Sequence, residues 1–584
     1  MFLVLGAGAG AGGGCAGSGS DSLGGSPPGN SPPQGSGGSS GVGSGSSRTG
    51  VNPGTGVSSG SALPGSGGAS SGPATGSGGA SFGSGGASAA GGASATLGGA
   101  AGTSPPHDMF VAVGTNPFVA TRHDPFSTFA ADVDTASYDI FRRDVNQGAL
   151  PQPASVRLEE YVNDFSYEYP APTSTSPHPF QISLGAARNV FERGTTLLRV
   201  GIQATKPAPF QKRPANVAFL IDVSGSMAAA DRLPLAQRVV VNALSTLDPN
   251  DKVSIVTYSN EALVRLPPTP ASQRASITAV VNGLVANGST AGAAALDLAY
   301  AQVQAGHIEG GINHVILCTD GDFNVGPSST KDLLALIKSK RATGVTLTAL
   351  GFGTGNLNDQ MMEAVSNAGN GIYAVISSAT NADRYVSERF LDTLIHVAKD
   401  MKIQVEFNPQ RVTAYRLLGY EDRAIADVDF RNDVVDAGEV GAGHRVTALY
   451  ELVLAGTTLN LKAEQPAMKD GPDSDLAREV PPQDLVLVKV RYKSVDALDT
   501  TPAKEVSVSF GPADLKETLR DCDDDLRWAA AVAAFAEILK QSPFADRAFL
   551  PQITDIVAAQ ATRDTDRQEF ATLFAKAKTL LGVK

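Results

Sequence analysis

Short apolar runs alternate with helically spaced apolar residues through the middle of the chain, from residue 212 to residue 400. Five runs are typical of strands buried on both faces: Val217–Ile221, Val253–Tyr258, His314–Cys318, Val345–Phe352 and Ile372–Ile376. The helical spacing falls between and after them, at Leu233–Leu247, Gln273–Leu284, Ala291–Ala305, Lys331–Lys340, Asp359–Ala368 and Asp383–Ala398. This alternation predicts an α/β domain with a doubly wound, mostly parallel sheet. We expect Ala262–Leu266 to add a short antiparallel edge strand.

The pattern changes to a period of two on both sides of this domain. The predicted strands are Phe180–Gly185 and Thr196–Gln203 before it, and Ile403–Phe407, Val412–Leu418, Val446–Leu454, Leu485–Tyr492 and Val506–Phe510 after it. Helical spacing returns at Asp525–Leu539, Phe549–Ala559 and Arg567–Leu580. Because the two ends of an inserted domain are expected to lie close together, the flanking strands should share one sheet assembly. The sequence therefore predicts an α/β domain inserted in a β-rich, sandwich-like domain with a C-terminal helical segment.

The first hundred or so residues contain almost nothing that could form a core. From Ala16 to residue 107 the chain is chiefly Gly, Ser, Ala and Pro, which predicts a disordered linker. We therefore divide the chain into residues 1–15, a possible lipoprotein-type signal remnant, and this linker at 16–107. An N-terminal α+β region (108–211), the α/β domain (212–400) and a β-rich then helical domain (401–584) follow.

Composition excludes several classes of function. The formal net charge of −12 argues against a nucleic-acid partner, which would require a basic face. Three cysteines are too few and too scattered for a disulfide framework or a zinc site, and the histidines lack metal-binding spacing. No apolar run reaches 18 residues, so no transmembrane helix is predicted.

The candidate chemistry follows the first buried strand. Asp222, Ser224 and Ser226 alternate around a glycine, in the loop at the carboxyl end of that strand, where open α/β sheets bind ligands. Three oxygen-bearing side chains in such a loop can converge on one hard cation. Two further stretches complete the set, with Thr290 after Gly288-Ser289 and Asp320 after the third strand.

Together these three stretches resemble the von Willebrand factor type A (VWA) domain, whose metal-ion-dependent adhesion site uses DxSxS, a threonine and an aspartate. The resemblance implies that the hydroxyls of Ser224, Ser226 and Thr290 bind Mg²⁺, or Mn²⁺ or Ca²⁺, directly. It implies that Asp222 and Asp320 act through water, and that a carboxylate of a protein partner completes the shell of the cation. The implied outcome is binding and not catalysis.

Further stretches extend the resemblance to a bacterial family of secreted or lipid-anchored VWA proteins with their own flanking domains. They are Phe129–Tyr138, Gly351–Asp359, Ala398–Pro409 and Asp436–His444. Cys15 follows an apolar start and small residues, as at the end of a bacterial lipoprotein signal, although Gly12 stands where such signals usually have an aliphatic residue. We expect an envelope protein that contacts the membrane only through a lipid on Cys15.

Two other functions remain open. One is a structural scaffold of the envelope whose metal site is vestigial. The other, less favoured, is a hydrolase or phosphotransferase. A phosphotransferase of the dehalogenase type would require an acid at the position of Ser224, and a dinucleotide-binding fold would require GxGxxG after the first strand.

Overall fold

The computed structural model describes residues 108–583 except 132–133, 174, 189, 193, 206–212, 290–292, 322–329, 436, 496 and 498–500. The predicted signal remnant, the linker, Cys15 and Thr290 lie outside the described residues. The strands are β1 Val119–Ala120, β2 Phe126–Ala130, β3 Phe180–Arg188, β4 Thr196–Ala204, β5 Ala215–Asp222, β6 Lys252–Tyr258, β7 Ala262–Pro270, β8 Ile312–Thr319, β9 Val345–Phe352, β10 Tyr373–Ile376, β11 His396–Phe407, β12 Val412–Leu418, β13 Gly438–Gly441, β14 Arg445–Leu454, β15 Val486–Ser494 and β16 Lys504–Phe510. The α-helices are α1 Ala136–Asn146, α2 Leu158–Asn163, α3 Leu233–Ala243, α4 Arg274–Asn282, α5 Ala293–Ala305, α6 Thr330–Arg341, α7 Asp359–Ala368, α8 Ala379–Arg384, α9 Phe390–Leu394, α10 Asp524–Lys540, α11 Leu550–Gln560 and α12 Thr565–Leu580.

The α/β domain contains a six-stranded sheet in the order β10-β9-β8-β5-β6-β7. Its strands are parallel except β7, which pairs antiparallel with β6 at one edge. Along β5, Phe219 and Ile221 face a core shared with α3 and α4, while Ala218 and Leu220 face a core shared with α5 and α6. A strand buried on both faces needs apolar residues at every position, which is why β5 is an uninterrupted apolar run. The doubly wound prediction is confirmed.

Two antiparallel sheets flank this domain in sequence and pack against each other. One has the order β1-β12-β14-β4-β3, and the other has the order β13-β11-β15-β16, with β2 paired to β11. Aromatic rings cross between them, since Phe407 of β11 stacks on Tyr415 of β12 with ring centroids 4.0 Å apart. β4, which precedes the α/β domain, pairs with β14, which follows it. The α/β domain is therefore inserted in a sandwich built from both flanks.

The C-terminal helices close the molecule against the N-terminal helices. Helices α10, α11 and α12 share a core with α1 and α2, in which the rings of Tyr138, Phe165, Trp528 and Phe570 meet edge to face or stacked. Trp528 and Phe535 are fully buried. Helix α10 begins where the Asp523 carboxylate accepts a hydrogen bond from the Leu526 backbone N–H. The predicted helical segment is confirmed, and it is not a separate body from the N-terminal region.

The predicted helix Asp383–Ala398 is helical as far as Leu394 and wrong only at its C-terminal end. The helical backbone ends at Leu394, after a π-helical stretch at Tyr385–Arg389, and strand β11 starts at His396. The first part of β11 pairs with β13 and β15 across irregular register, so tertiary pairing overrides the local helical pattern. The edge strand β7 is longer than predicted, and the short strands β1 and β13 were not predicted. None of the helices in the described ranges combines the length and apolar character needed to cross a membrane.

Burial of His314 in β8 predicts loss of stability in mild acid. The side chain is fully buried beside Thr346, and burial lowers the pKa of His314 from its usual 6.5 to about 3. The unfolded chain then takes up a proton below pH 6.5 that the folded chain refuses, so stability is complete above pH 6.5 and falls toward pH 3. Because of His314, we expect the unfolding free energy to fall by about 1.4 kcal/mol for each pH unit of acidification over this range.

The measurement is urea unfolding between pH 7 and pH 4.5. The His314→Gln variant should have a shallower slope of unfolding free energy against pH than the native chain, whatever its stability at pH 7. The matched control is His307→Gln, because the His307 side chain is 32% exposed. It should keep the native slope. Equal slopes in all three proteins would contradict the prediction.

Candidate metal centre

The sheet brings the first and third predicted stretches together at the carboxyl ends of its parallel strands. Asp222 is the last residue of β5, and Asp320 directly follows β8. These strands are parallel neighbours, with Ile221 opposite Cys318 in register, and the sheet order reverses between them. Parallel strands end at the same edge, so both carboxylates lie where ligands bind in open α/β sheets. The first and third predicted stretches therefore belong to one site.

The loop after β5 folds back on its own carboxylate. The Ser224 backbone N–H donates to Asp222 Oδ1 at 2.8 Å, and Ser224 Oγ lies 3.0 Å from Ser226 Oγ. A 3₁₀ turn at Gly225–Ala228 follows. Asp222 and Ser224 are buried, whereas Ser226 is half-buried. The two hydroxyls are therefore paired and lie beside a buried carboxylate.

Thr319 links the two loops. Its hydroxyl donates to Asp222 Oδ2 at 3.3 Å and accepts from the Gly321 N–H at 3.2 Å. Burial raises the pKa of Asp222 to about 6, against the lowering effect of its hydrogen bonds from Ser224, and the negative charge of Asp320 raises the pKa further. A positive charge placed nearby would stabilise the ionised form of a carboxylate held in this way.

The third stretch is held against the first by backbone hydrogen bonds. The Gly225 N–H donates to Gly288 O at 2.9 Å, and the Asn260 carboxamide accepts from both N–H and hydroxyl of Ser289 at 2.8 Å. Gly288 has a φ of +87°, and a Cβ there would lie 2.7 Å from the Asn260 Nδ2. A glycine is required at that position. Thr290 is outside the described residues, and its role as a ligand stays a prediction.

Two partners of Asp320 were not predicted. Arg232 Nη1 donates to Asp320 Oδ2 at 2.5 Å and to Ser226 O at 2.8 Å, while Nη2 donates to Thr354 O at 2.6 Å. Asn356 Nδ2 donates to the same Asp320 oxygen at 3.2 Å. Arg232 stands 88 residues from Asp320 in sequence, so no local motif marks the pair.

The loop that carries Thr354 and Asn356 is held from outside the α/β domain. Asp108 Oδ1 accepts from the Gly355 N–H at 2.7 Å and from the Leu357 N–H at 3.1 Å. The other oxygen of Asp108 forms an ion pair with Arg143 of α1 at 2.8 Å. Segments that precede the inserted domain therefore help to position the loop beside Asp320.

The side chains at this edge fit a hard divalent cation. The predicted ligands that the structure describes, Asp222, Ser224, Ser226 and Asp320, offer two hydroxyls and two buried carboxylates, and oxygen is the donor type that Mg²⁺, Mn²⁺ and Ca²⁺ prefer. Among the described residues, no group of three or more His, Cys, Asp or Glu side chains is arranged for a metal. A cation at this edge would therefore depend on the serine hydroxyls as well as on Asp222 and Asp320.

Three family models match three successive regions of the chain. The model described as von Willebrand factor type A domain matches residues 216–388, and one described as von Willebrand factor matches residues 105–199. The model described as uncharacterized protein YfbK, C-terminal, matches residues 392–580. The von Willebrand factor type A model spans all the predicted ligands of the candidate site.

Relatives include an uncharacterized protein of Escherichia coli, YfbK, which is 38% identical over 466 residues, or 79% of each chain. Human inter-alpha-trypsin inhibitor heavy chain H4 is 28% identical over 155 residues, covering 25% of this chain and 17% of that protein. Among solved structures, a von Willebrand factor type A protein from Catenulispora acidiphila aligns with 70% of this chain and 91% of its own, at 18% identity and a TM-score of 0.39.

Gly321 permits the close approach of the loops after β8 and β9, and its substitution should be costly. Gly321 has a φ of +96°, and a Cβ there would lie 2.6 Å from the Leu357 Cα, a backbone atom that can move only with its loop. Gly321→Ala should therefore lower the unfolding free energy by at least about 2 kcal/mol, because it adds a backbone clash to the strain of positive φ. Urea unfolding measures the change.

Gly344→Ala is the matched control, because Gly344 has a φ of +83° and no heavy atom lies within 4 Å of the position that a Cβ would take. It should lose only about 1 kcal/mol, the cost of the positive φ alone. Equal losses in the two variants would show that the loop around Leu357 does not constrain Gly321.

Proposed function

The chain belongs to the family of VWA-domain proteins that includes Escherichia coli YfbK, and from this premise we propose that it is a non-enzymatic, divalent-cation-dependent protein-binding module of the bacterial cell envelope. The site at Asp222, Ser224, Ser226 and Asp320 would bind the cation, together with Thr290. The bound ligand would be a protein that presents an acidic side chain.

The observation that carries the proposal is the convergence of hydroxyls and carboxylates at one sheet edge. Ser224 and Ser226 place their hydroxyls 3.0 Å apart, and Asp222 and Asp320 are both buried at the ends of neighbouring strands. Two buried carboxylates at one edge repel each other, so the site favours a cation. When bound, Mg²⁺ supplies an electrophilic centre for a carboxylate of the partner.

The position of Asp222 argues against an enzymatic use. Its side chain is fully buried, and its two oxygens accept hydrogen bonds from Ser224 and Thr319. A nucleophilic carboxylate has to face its substrate, and a phosphotransferase of the dehalogenase type would need an acid in place of Ser224. The residues around the site therefore support binding better than turnover.

One observation favours a scaffold with a vestigial metal site as the second candidate. The Arg232 guanidinium already contacts Asp320 at 2.5 Å, and so supplies positive charge where a cation would. If this ion pair replaces the cation, the domain would serve the envelope through its shape alone. The location at the envelope, and the lipid on Cys15 that would anchor the chain, belong to the same proposal in either case.

Calorimetry with the full-length chain tests the binding of the cation. We expect MgCl₂ and MnCl₂ to give saturable heat with the native protein and at least tenfold weaker binding with Asp222→Ala, because the variant loses one of the two buried carboxylates. Asp555→Ala removes an exposed acid from α11 and should bind as the native protein does. Absence of heat with the native chain would leave the scaffold as the better candidate.

Capture from an envelope extract tests the mode of binding. A partner held through the cation should elute with EDTA and should not be retained by Ser224→Ala, because both treatments remove the cation or one of its ligands. Asn242→Ala, on the outer part of α3 beside Asp383, serves as the control and should retain the partner. A partner retained equally in EDTA and by Ser224→Ala would contradict cation-dependent binding.

A further inference from the structure

Arg232 places a guanidinium group among the oxygens of the candidate metal site. It lies just before α3 and reaches three separate loops, through Ser226 O, Asp320 Oδ2 and Thr354 O. All three distances are 2.8 Å or less, within the range of strong charge-assisted hydrogen bonds. The side chain therefore holds together the loops after β5, β8 and β9.

The fold makes room for this side chain. Gly353 has a φ of +80°, and a Cβ there would lie 2.6 Å from Arg232 Cγ and Nε. A glycine is therefore needed for the loop after β9 to pass over the arginine. The Arg232 side chain is only 12% exposed, whereas that of Arg238, within α3, is 46% exposed. Arg232 is thus built into the site and is not a surface residue that has folded over it.

The charge of Arg232 changes the net charge of the site. Asp222 and Asp320 carry two negative charges, and the guanidinium reduces the net charge of the three groups to one negative charge. A divalent cation would raise that net charge to one positive charge with Arg232 present, but only to zero without it. The arginine therefore opposes entry of the cation and leaves the loaded site attractive to an anion.

We propose that Arg232 sets the selectivity of this site, weakening its hold on the divalent cation and strengthening the hold of the loaded site on a carboxylate-bearing partner. The inference rests on the proposed function, because it concerns the same cation and the same partner. Arg232 acts through Asp320 and through its charge, so it is a specificity-determining residue and not a further ligand.

The test compares Mn²⁺ binding to the native chain, Arg232→Met, Arg232→Lys and Arg238→Met by calorimetry. Removal of the charge should tighten Mn²⁺ binding about tenfold in Arg232→Met. Arg232→Lys keeps the charge but loses the guanidinium fork that joins the three loops, so it should not tighten Mn²⁺ binding. Arg238→Met removes an arginine of α3 that is paired with Asp383, and this variant should bind Mn²⁺ as the native chain does.

A second readout separates selectivity from a structural role. Without metal, Arg232→Met should have a lower melting temperature than the native chain, because three hydrogen bonds between loops are lost. Loosened loops alone would weaken Mn²⁺ binding. Tighter Mn²⁺ binding by a less stable protein would therefore be specific to the loss of charge. Equal or weaker Mn²⁺ binding by Arg232→Met would overturn the inference. The proposed function would still stand in that case, provided that the native chain binds Mn²⁺. If neither protein bound Mn²⁺, the proposed function itself would fail.

The partner side of the inference is tested with a fluorescein-labelled hexaglutamate peptide and Mn²⁺-saturated protein. Fluorescence anisotropy should show about tenfold weaker peptide binding by Arg232→Met than by the native chain, and EDTA should abolish binding by both. Equal peptide affinities would overturn the role of Arg232 in partner binding.

Discussion

The arrangement of the site depends on the burial of two carboxylates at the ends of neighbouring parallel strands. Asp222 and Asp320 are at most 1% exposed, and a buried charge without compensation would be strongly destabilising. Ser224 and Thr319 compensate the charge of Asp222 by donating hydrogen bonds to its carboxylate. Asp320 is compensated by an ion pair with Arg232 and by a hydrogen bond from Asn356. The loops around the site are shaped by these demands.

This dependence extends beyond the α/β domain. The loop that bears Asn356 is fixed by Asp108, which is paired in turn with Arg143 of the flanking helix α1. A second buried link runs from Arg157, before α2, to Asp359 and Glu363 of α7. Desolvation offsets most of the attraction within a buried ion pair, but separating the two partners would leave uncompensated buried charges. We infer that the flanking regions specify how the site loops are held.

The periodic features of the fold were predictable from the sequence. Strand β5 is a continuous apolar run because both its faces are covered, and the spacing of α10 follows from its burial against α1 and α2. Pairing between distant strands was less accessible. The flanking strands were predicted as one sandwich-like assembly, but the pairing of β4 with β14 and the order of the strands within each sheet were not predicted. The start of β11 was mistaken for helix because its pairing with β13 and β15 lies outside any local window.

For the candidate site, the sequence by itself determined which oxygen-bearing side chains follow which strands. Asp222, Ser224, Ser226 and Asp320 could be named because short motifs at strand ends carry their own chemistry. The tertiary structure alone brought Arg232 to Asp320 and Asp108 to the loop after β9, across 88 and more than 200 residues. Local patterns record what a residue can donate or accept, whereas the partner of a buried charge is decided by which elements the fold packs together.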